Sequence, residues 1–332
     1  MEKGKLIKIG IMSFAHMHAH GYAACLKKLP NVEFVGIADD DESRAKQMAK
    51  QYGVRAFDSY EEMLASDIDA VIVTSENANH RRHVVLAAQS EKHVLCEKPL
   101  ATTKQDAEAI VEVVRRSKIK FMMAFPCRFH PAFKRLCETV ESGALGKLLA
   151  MKGTNQGQCP GGWFTDTKLA GGGAVIDHTV HLVDLMRVLT KAEPARVYAE
   201  VDNRLFGGDF DDTGVITIDF TNNVFASIDS SWSRPKSYPF WGNVNLEVIG
   251  TDGVAKMEMF AQKIDIYSDK TGRHTYEYWG DDVNLALIDS FARSIAEGKP
   301  VEITGEDGIK ALEVALAAYE SAKSREAVDL LA

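Results

Sequence analysis

The sequence predicts an α/β protein in two parts. Residues 1–125 should form an N-terminal Rossmann-type domain with a doubly wound parallel sheet. Residues 126–332 should form a substrate-binding and oligomerisation α+β domain with a large, mainly antiparallel sheet. Three observations predict this. A chain of 332 residues is long for a single core. Up to about residue 125, short apolar runs alternate with helix-length segments, as in successive βαβ units. After Pro131 that rhythm is lost, and residues 195–278 read as strand after strand.

Each element has its reason. Residues 5–12 are a short apolar strand, followed by a loop at 13–16 and a helix to about residue 28. Val32–Ala38 is β-rich and stops at Asp39-Asp40-Asp41, where a helix from Glu42 to Tyr52 begins. Strands at 70–74, 93–96 and 120–125 alternate with helices at 79–89 and 104–117. Next come a helix to about Glu141, a Gly143-x-x-Gly146 turn and a strand. The strands expected at 195–201, 214–220, 224–231, 243–249, 255–259, 263–267 and 274–278 alternate polar and apolar residues. Turns such as Thr251-Asp252-Gly253 separate neighbours, as in an antiparallel sheet with one covered face. Helices over about 283–297 and 305–324 end the chain.

Composition narrows the function. Hydrophobic content of 45% and charged content of 26% fit an ordinary globular protein. A net charge of −8 argues against nucleic acid or an anionic membrane as partner. Five scattered cysteines without a CxxC pair read as reduced thiols. There is no signal-peptide core at the N-terminus and no apolar run that spans a bilayer, so a cytoplasmic protein is expected.

A dinucleotide-binding strand is normally followed by G-x-G-x-x-G, which lets a pyrophosphate approach the next helix. Here the stretch is Ser13-Phe14-Ala15-His16-Met17-His18, with every glycine replaced. Ser13 and Ala15 are small, so their backbone can still serve phosphate. Asp39 ends the second strand, where an acid accepts hydrogen bonds from ribose hydroxyls. No arginine follows it to receive a 2′-phosphate, because Asp40 and Asp41 extend the negative charge, so NAD is preferred over NADP. The alternating His16, His18 and His20 invite a metal reading. Alternate helical residues project about 200° apart, so all three cannot converge, although two could if the first lies in the extended loop; we read them as loop and cap histidines with no metal.

The densest chemistry lies at Gly171-Gly172-Gly173-Ala-Val-Ile-Asp177-His178-Thr-Val-His181-Leu-Val-Asp184. On a helix Asp177, His181 and Asp184 share one face, while Val175, Leu182, Leu185 and Met186 can pack it down. Lys98, followed by Pro99, is biased toward extended backbone at the carboxyl end of a parallel strand, where such sheets bind ligands.

Val-Leu-Cys-Glu97-Lys98-Pro99-Leu-Ala together with Gly171-Gly172-Gly173…Asp177…His181…Asp184 resembles the glucose–fructose oxidoreductase/inositol dehydrogenase (Gfo/Idh/MocA) family. Ser75-Glu76-Asn77-Ala78-Asn79-His80 is similar to the family's T-P-N-x-x-H segment, and Arg128-Phe129-His130-Pro131 to its R-F-x-P turn. Trp163…Leu169-Ala170 and Gly298-Lys299-Pro300…Gly305-Glu306-Asp307-Gly308 also fit, so the resemblance covers nearly the whole chain. The glycine loop is the departure.

The resemblance implies a nicotinamide-dependent dehydrogenase acting on a sugar, polyol or inositol-like ring, working as a homodimer or homotetramer. Lys98, Asp177 and His181 match its catalytic positions; Asp39, Ser75, Asn77, His80, Glu97 and Lys98 match its cofactor contacts. Ser13, Phe14, Ala15 and His16 would cover the pyrophosphate. Lys98, Asp177 and His181, with Arg128, Asn155 and Trp163, are the candidate substrate contacts. Chemically, His181 is the natural base for a hydroxyl proton, Asp177 can orient it, and Lys98 can stabilise alkoxide character. Two other readings compete: a metal-dependent sugar isomerase or lyase using His16, His18, His178 and His181, and a non-catalytic NAD or metabolite sensor.

Overall fold

The computed structural model describes residues 6–238, 241–278 and 280–331, apart from the side chains of 276–278. In chain order the first elements are β1 (Ile7–Met12), α1 (His18–Lys28), β2 (Val32–Ala38), α2 (Glu42–Tyr52), β3 (Arg55–Ala56), α3 (Tyr60–Ala65) and β4 (Ala70–Val73). They continue with α4 (His80–Gln89), β5 (His93–Cys96), α5 (Lys104–Arg116), β6 (Phe121–Met123), α6 (Pro131–Glu141), β7 (Leu148–Gln156), α7 (Thr167–Ala170) and α8 (Ala174–Thr190). Seven further strands are β8 (Pro194–Asp202), β9 (Thr213–Phe220), β10 (Phe225–Ser231), β11 (Asn245–Gly250), β12 (Val254–Glu258), β13 (Lys263–Ser268) and β14 (Arg273–Tyr278). The chain closes with α9 (Val283–Ala296), α10 (Gly305–Ser324) and β15 (Val328–Asp329).

The chain forms two units. The first contains residues 1–126, 169–171 and 283–309. Its sheet runs in the order β3-β2-β1-β4-β5-β6, with every pairing parallel. Both faces of such a sheet are covered, which is why β4 (Ala-Val-Ile-Val) is buried at every position. Side chains stop and start the helices: Asp41 caps α2, Ser59 caps α3 and Thr103 caps α5, each accepting a backbone N–H of the first turn. Strand order reverses between β1 and β4, so the loops after these strands open at the carboxyl edge of the sheet.

The second unit contains residues 127–168, 172–282 and 310–332. Its seven-stranded sheet runs β12-β11-β7-β10-β9-β8-β15, antiparallel except for the parallel pair β7 and β10. α8 packs on β7, β9 and β10, and a Cβ at Gly153 of β7 would crowd Leu182 and Met186 of this helix. The opposite face is open, with Tyr198, Val215 and Phe225 exposed on β8, β9 and β10. Among the described residues no helix is long and apolar enough to cross a membrane.

Two expectations need correction. The second part is not one continuous stretch over 126–332. Leu287, Ile288, Phe291 and Ala292 of α9 are fully buried in the first unit, where α9 packs on α1 and β1. The amide of Met123 in β6 also donates to Ile303 O at 3.1 Å. In addition, the strands at 263–267 and 274–278 do not join the large sheet. They pair with each other as a separate hairpin, β13 with β14, on which Ile264 and Tyr267 are exposed.

Candidate active site

In the first unit the expected cofactor residues gather at the carboxyl edge of the sheet. Ser13 takes φ 73°, the left-handed conformation that the missing first glycine would supply without strain. The loop is tied down on both sides. Ser13 N donates to Ala38 O at 2.7 Å, Phe14 N to Asp39 Oδ2 at 2.6 Å and His16 N to Thr74 O at 3.0 Å. Two more amides rest on side chains, Ala15 N on Ser13 Oγ and His18 N on His16 Nδ1, each at 3.1 Å. The glycine-free loop is thus held by its own hydroxyl, its own imidazole and the acid of β2.

This backbone makes a prediction. Ser13→Gly exchanges a side-chain hydrogen bond for relief of left-handed strain, so stability should change by less than about 1 kcal/mol. Ser13→Val puts a β-branched side chain at the same positive φ and should cost about 2 kcal/mol or more. Chemical denaturation of both variants checks this; equal stabilities would contradict the loop geometry.

Asp39, whose side chain is fully buried, accepts from Phe14 N, from Asp41 N at 3.0 Å and from Arg44 through Nε at 2.8 Å and Nη2 at 2.6 Å. Sequence reasoning passed over Arg44: five residues beyond the acid, on α2, it returns its guanidinium to Asp39. The hydrogen bond to Asp39 raises the Arg44 pKa further above its ordinary value, with Glu76 and Asp41 adding Coulombic support.

Glu97 is completely buried. It accepts from the Tyr22 hydroxyl, from His18 Nδ1 at 3.0 Å and, on its other oxygen, from Lys98 N at 3.0 Å. Burial alone would raise its pKa, but the charges of His18 and His16 and the His18 hydrogen bond hold it well below the usual carboxylate range. His16, His18 and Glu97 bring possible ligand atoms within 4.8 Å of one another. Nδ1 of His16 accepts an amide and Nδ1 of His18 faces Glu97, so the cluster is already organised around a hydrogen-bonded carboxylate. Lys98, 3% exposed, stands beside it at the end of β5, and its peptide bond to Pro99 is cis.

The remaining expected contacts lie on the neighbouring strand end. Asn77 donates to Ala170 O at 2.8 Å, Ser75 Oγ meets His83 Nδ1 at 2.9 Å, and His80 Nδ1 meets Pro99 O at 2.9 Å. Burial lowers the pKa of His80, and lowers that of His83 to about 4. A neutral His80 that donates from Nδ1 keeps a lone pair on Nε2. That atom and Oδ1 of Asn77 are buried without a hydrogen-bond partner. Such atoms, with an acid at the end of β2 and no acidic residue in the first turn of α1, fit a dinucleotide.

In the second unit the site is built on α8. A Cβ at Gly172 would collide with the Tyr319 hydroxyl, and one at Gly173 with Asp211 O, so both positions require glycine. The first amides of α8 are capped from far along the chain. Asp211 accepts from Gly173 N and Val175 N, each at 2.7 Å, and the Tyr319 hydroxyl accepts from Ile176 N at 3.1 Å and donates to Asp211 at 2.8 Å. Burial raises the pKa values of both Asp211 and Tyr319.

Asp177 and His181 are buried, at 6% and 8% exposure, on the helix face expected for them. The indole Nε1 of Trp232 donates to Asp177 Oδ2 at 3.4 Å, and Cys127 Sγ lies 4.0 Å from His181 Nδ1. Trp232, the ring beside the acid, packs with Phe164, and Trp163 stacks on Phe164 with centroids 3.9 Å apart. His178 turns toward β7, where its Nδ1 meets Asn155 O at 2.8 Å while Asn155 Nδ2 donates to His178 O at 3.1 Å. Arg128 makes a fork to the fully buried Asp184, Nε to Oδ2 at 2.7 Å and Nη2 to Oδ1 at 2.5 Å. Two of the expected substrate contacts, Asn155 and Arg128, therefore hold α8 in place. Tyr22, Trp232, Cys127, Asp211 and Tyr319 were missed, since no local pattern marks a partner so distant in sequence.

Comparison with known proteins identifies both parts of the chain. Residues 7–125 match the model of the oxidoreductase family with an NAD-binding Rossmann fold, and residues 133–256 match that of the GFO/IDH/MocA C-terminal domain. The chain is similar to myo-inositol 2-dehydrogenase of Thermotoga maritima, 28% identical with 97% of each chain covered. It is also similar to D-xylose 1-dehydrogenase (NADP(+)) 2 of Haloferax volcanii, 30% identical over 90% of this chain and 92% of the relative. Its fold is shared with GenD2 from gentamicin A biosynthesis, solved in complex with NAD, at a TM-score of 0.92 and 23% identity, covering 100% of this chain and 98% of that one. With both halves matched in order, the chain belongs to the Gfo/Idh/MocA family of oxidoreductases.

Proposed function

We propose that the protein is a nicotinamide-dependent dehydrogenase of a sugar, polyol or inositol-like substrate, with NAD bound more tightly than NADP. The observation that carries this reading is the face of α8, where Asp177 and His181 sit side by side on a helix that is otherwise packed into the core. They place a carboxylate and an imidazole one helical turn apart, and removing a carbinol hydrogen requires a base for the hydroxyl proton. The names of the relatives, which oxidise inositol and xylose, support the substrate class.

When bound, the nicotinamide cofactor accepts or donates the hydride. This chain's residues do the rest. His181 takes the hydroxyl proton in oxidation and returns it in reduction. Asp177, held by Trp232, orients the imidazole or a neighbouring substrate hydroxyl. Lys98, buried at the end of β5, supplies positive charge for the developing alkoxide. Asp39, Asn77, His80 and Glu97 are assigned to cofactor binding, with Ser13 to His16 under the pyrophosphate; Trp163 is assigned to the substrate.

Titration with NAD and NADH, followed by a panel of inositols, aldoses and keto-sugars, tests the reading by nicotinamide absorbance. No binding of either nucleotide up to millimolar concentration would overturn it. The open face of the large sheet, with Tyr198, Val215 and Phe225, is assigned to a second copy in a homodimer or homotetramer. Val215→Asp should then shift the sedimentation coefficient toward the monomer's, and a wild-type protein that is already monomeric would remove this assignment.

A further inference from the structure

The end of β7 carries an arginine that no acid neutralises. β10 leads through Trp232 into Ser233-Arg234, and Arg234 N donates to Gly157 O at 2.9 Å, one residue past β7. The half-buried guanidinium lies over the Tyr238 ring, 4.6 Å from its centroid, and Nη2 donates to Gln156 Oε1 at 2.7 Å. Gln156 Nε2 donates in turn to Asp229 Oδ2 at 2.5 Å, so an amide stands between the cation and that acid. Other arginines of the chain are engaged directly, Arg44 by Asp39, Arg128 by Asp184 and Arg187 by Glu193. No carboxylate among the described residues pairs with Arg234, and its Nε is buried without an acceptor. A donor left so is costly, and a guanidinium fork matches a carboxylate. Close packing ties this arginine to the face of α8. A Cβ at Gly157 would come within 2.9 Å of both His178 and Trp241, so glycine lets these rings meet, centroids 5.3 Å apart. His178 Nε2 lies 3.2 Å from Asp177 Oδ2.

We propose that Arg234 binds a carboxylate of the substrate, so that the preferred substrate is an acidic sugar, such as a uronic acid, rather than a neutral ring. This rests on the dehydrogenase reading and narrows its substrate class. One unpaired guanidinium balances one negative charge. Asp177 and Asp229, both within this run of contacts, oppose a doubly charged phosphate, so a carboxylate is the fitting anion. Trp241, 42% exposed, supplies a flat apolar face for the ring that bears it.

The test is calorimetric titration of the full chain with glucuronate and galacturonate against glucose and galactose and, separately, with NAD. Wild type should bind at least one uronate about tenfold or more tightly than the matched aldose, the scale of one charge-assisted contact. Arg234→Gln should cut that preference to less than about threefold. Arg234→Lys, which keeps the charge and loses the fork, should fall between them and guards against a folding defect in the first variant. Wild type that prefers neither uronate up to high millimolar concentration, or a preference kept in Arg234→Gln, overturns the inference. So does tighter binding of glucose 6-phosphate than of either uronate. In each of these cases NAD binding by the same protein leaves the dehydrogenase reading standing, whereas no binding of NAD removes both together.

Discussion

His181→Ala is expected to lower turnover at least about a hundredfold, the scale of a lost general base. Lys98→Ala and Asp177→Asn should each do the same, for different reasons. Without Lys98 the alkoxide loses its counter-charge; with Asn at 177 the Trp232 indole keeps an acceptor, but the negative charge is gone. All three variants should stay folded, because none removes a cap of α8, whose first amides are held by Asp211 and Tyr319. Steady-state kinetics with thermal unfolding alongside makes the check. Turnover retained in all three would sink the assignment; losses that track unfolding would make the residues structural.

The second large effect is on stability. Asp184 is fully buried in the middle of α8, and the Arg128 fork neutralises it from the turn before α6. Arg128→Met fills similar volume but withdraws that charge, and breaking a buried pair on one side costs about 3–5 kcal/mol. Arg128→Met with Asp184→Leu removes both members and should recover most of the loss. Denaturant midpoints of the single and double variants measure the coupling. If the single variant loses less than about 1 kcal/mol, Arg128 is not the strut that its geometry describes, and a direct role toward substrate regains ground.

The sequence made some of this legible and hid the rest for physical reasons. The alternation through residue 125 was readable because a buried parallel strand must be apolar throughout, as Ala70–Val73 is. The face of α8 was readable because Asp177, His181 and Asp184 follow helical spacing. Arg44 was hidden because Asp40 and Asp41, directly after Asp39, carry only negative charge, whereas the first turn of α2 carries the guanidinium back to it. Asp211 and Tyr319 were hidden because they cap α8 from 36 and 143 residues beyond their amide partners. The return of α9 to the first unit was equally silent, since an apolar helix face does not announce which core it will cover. β15 is two residues long and carries no pattern at all.

The Tyr319 hydroxyl on the first turn of α8 has a consequence for how the protein is made. A chain emerging from the ribosome can lay down α8 and its strands, but the start of that helix is not fully clamped until α10 has been synthesised. The first unit waits as well, since residues 283–309 come long after β6. Neither half is complete before the other is nearly finished. This long-range closure favours slow, late maturation over stepwise folding of one half and then the next. It also makes the last helix a checkpoint: a chain cut short before Tyr319 would be released with the polar face of α8 built but not locked.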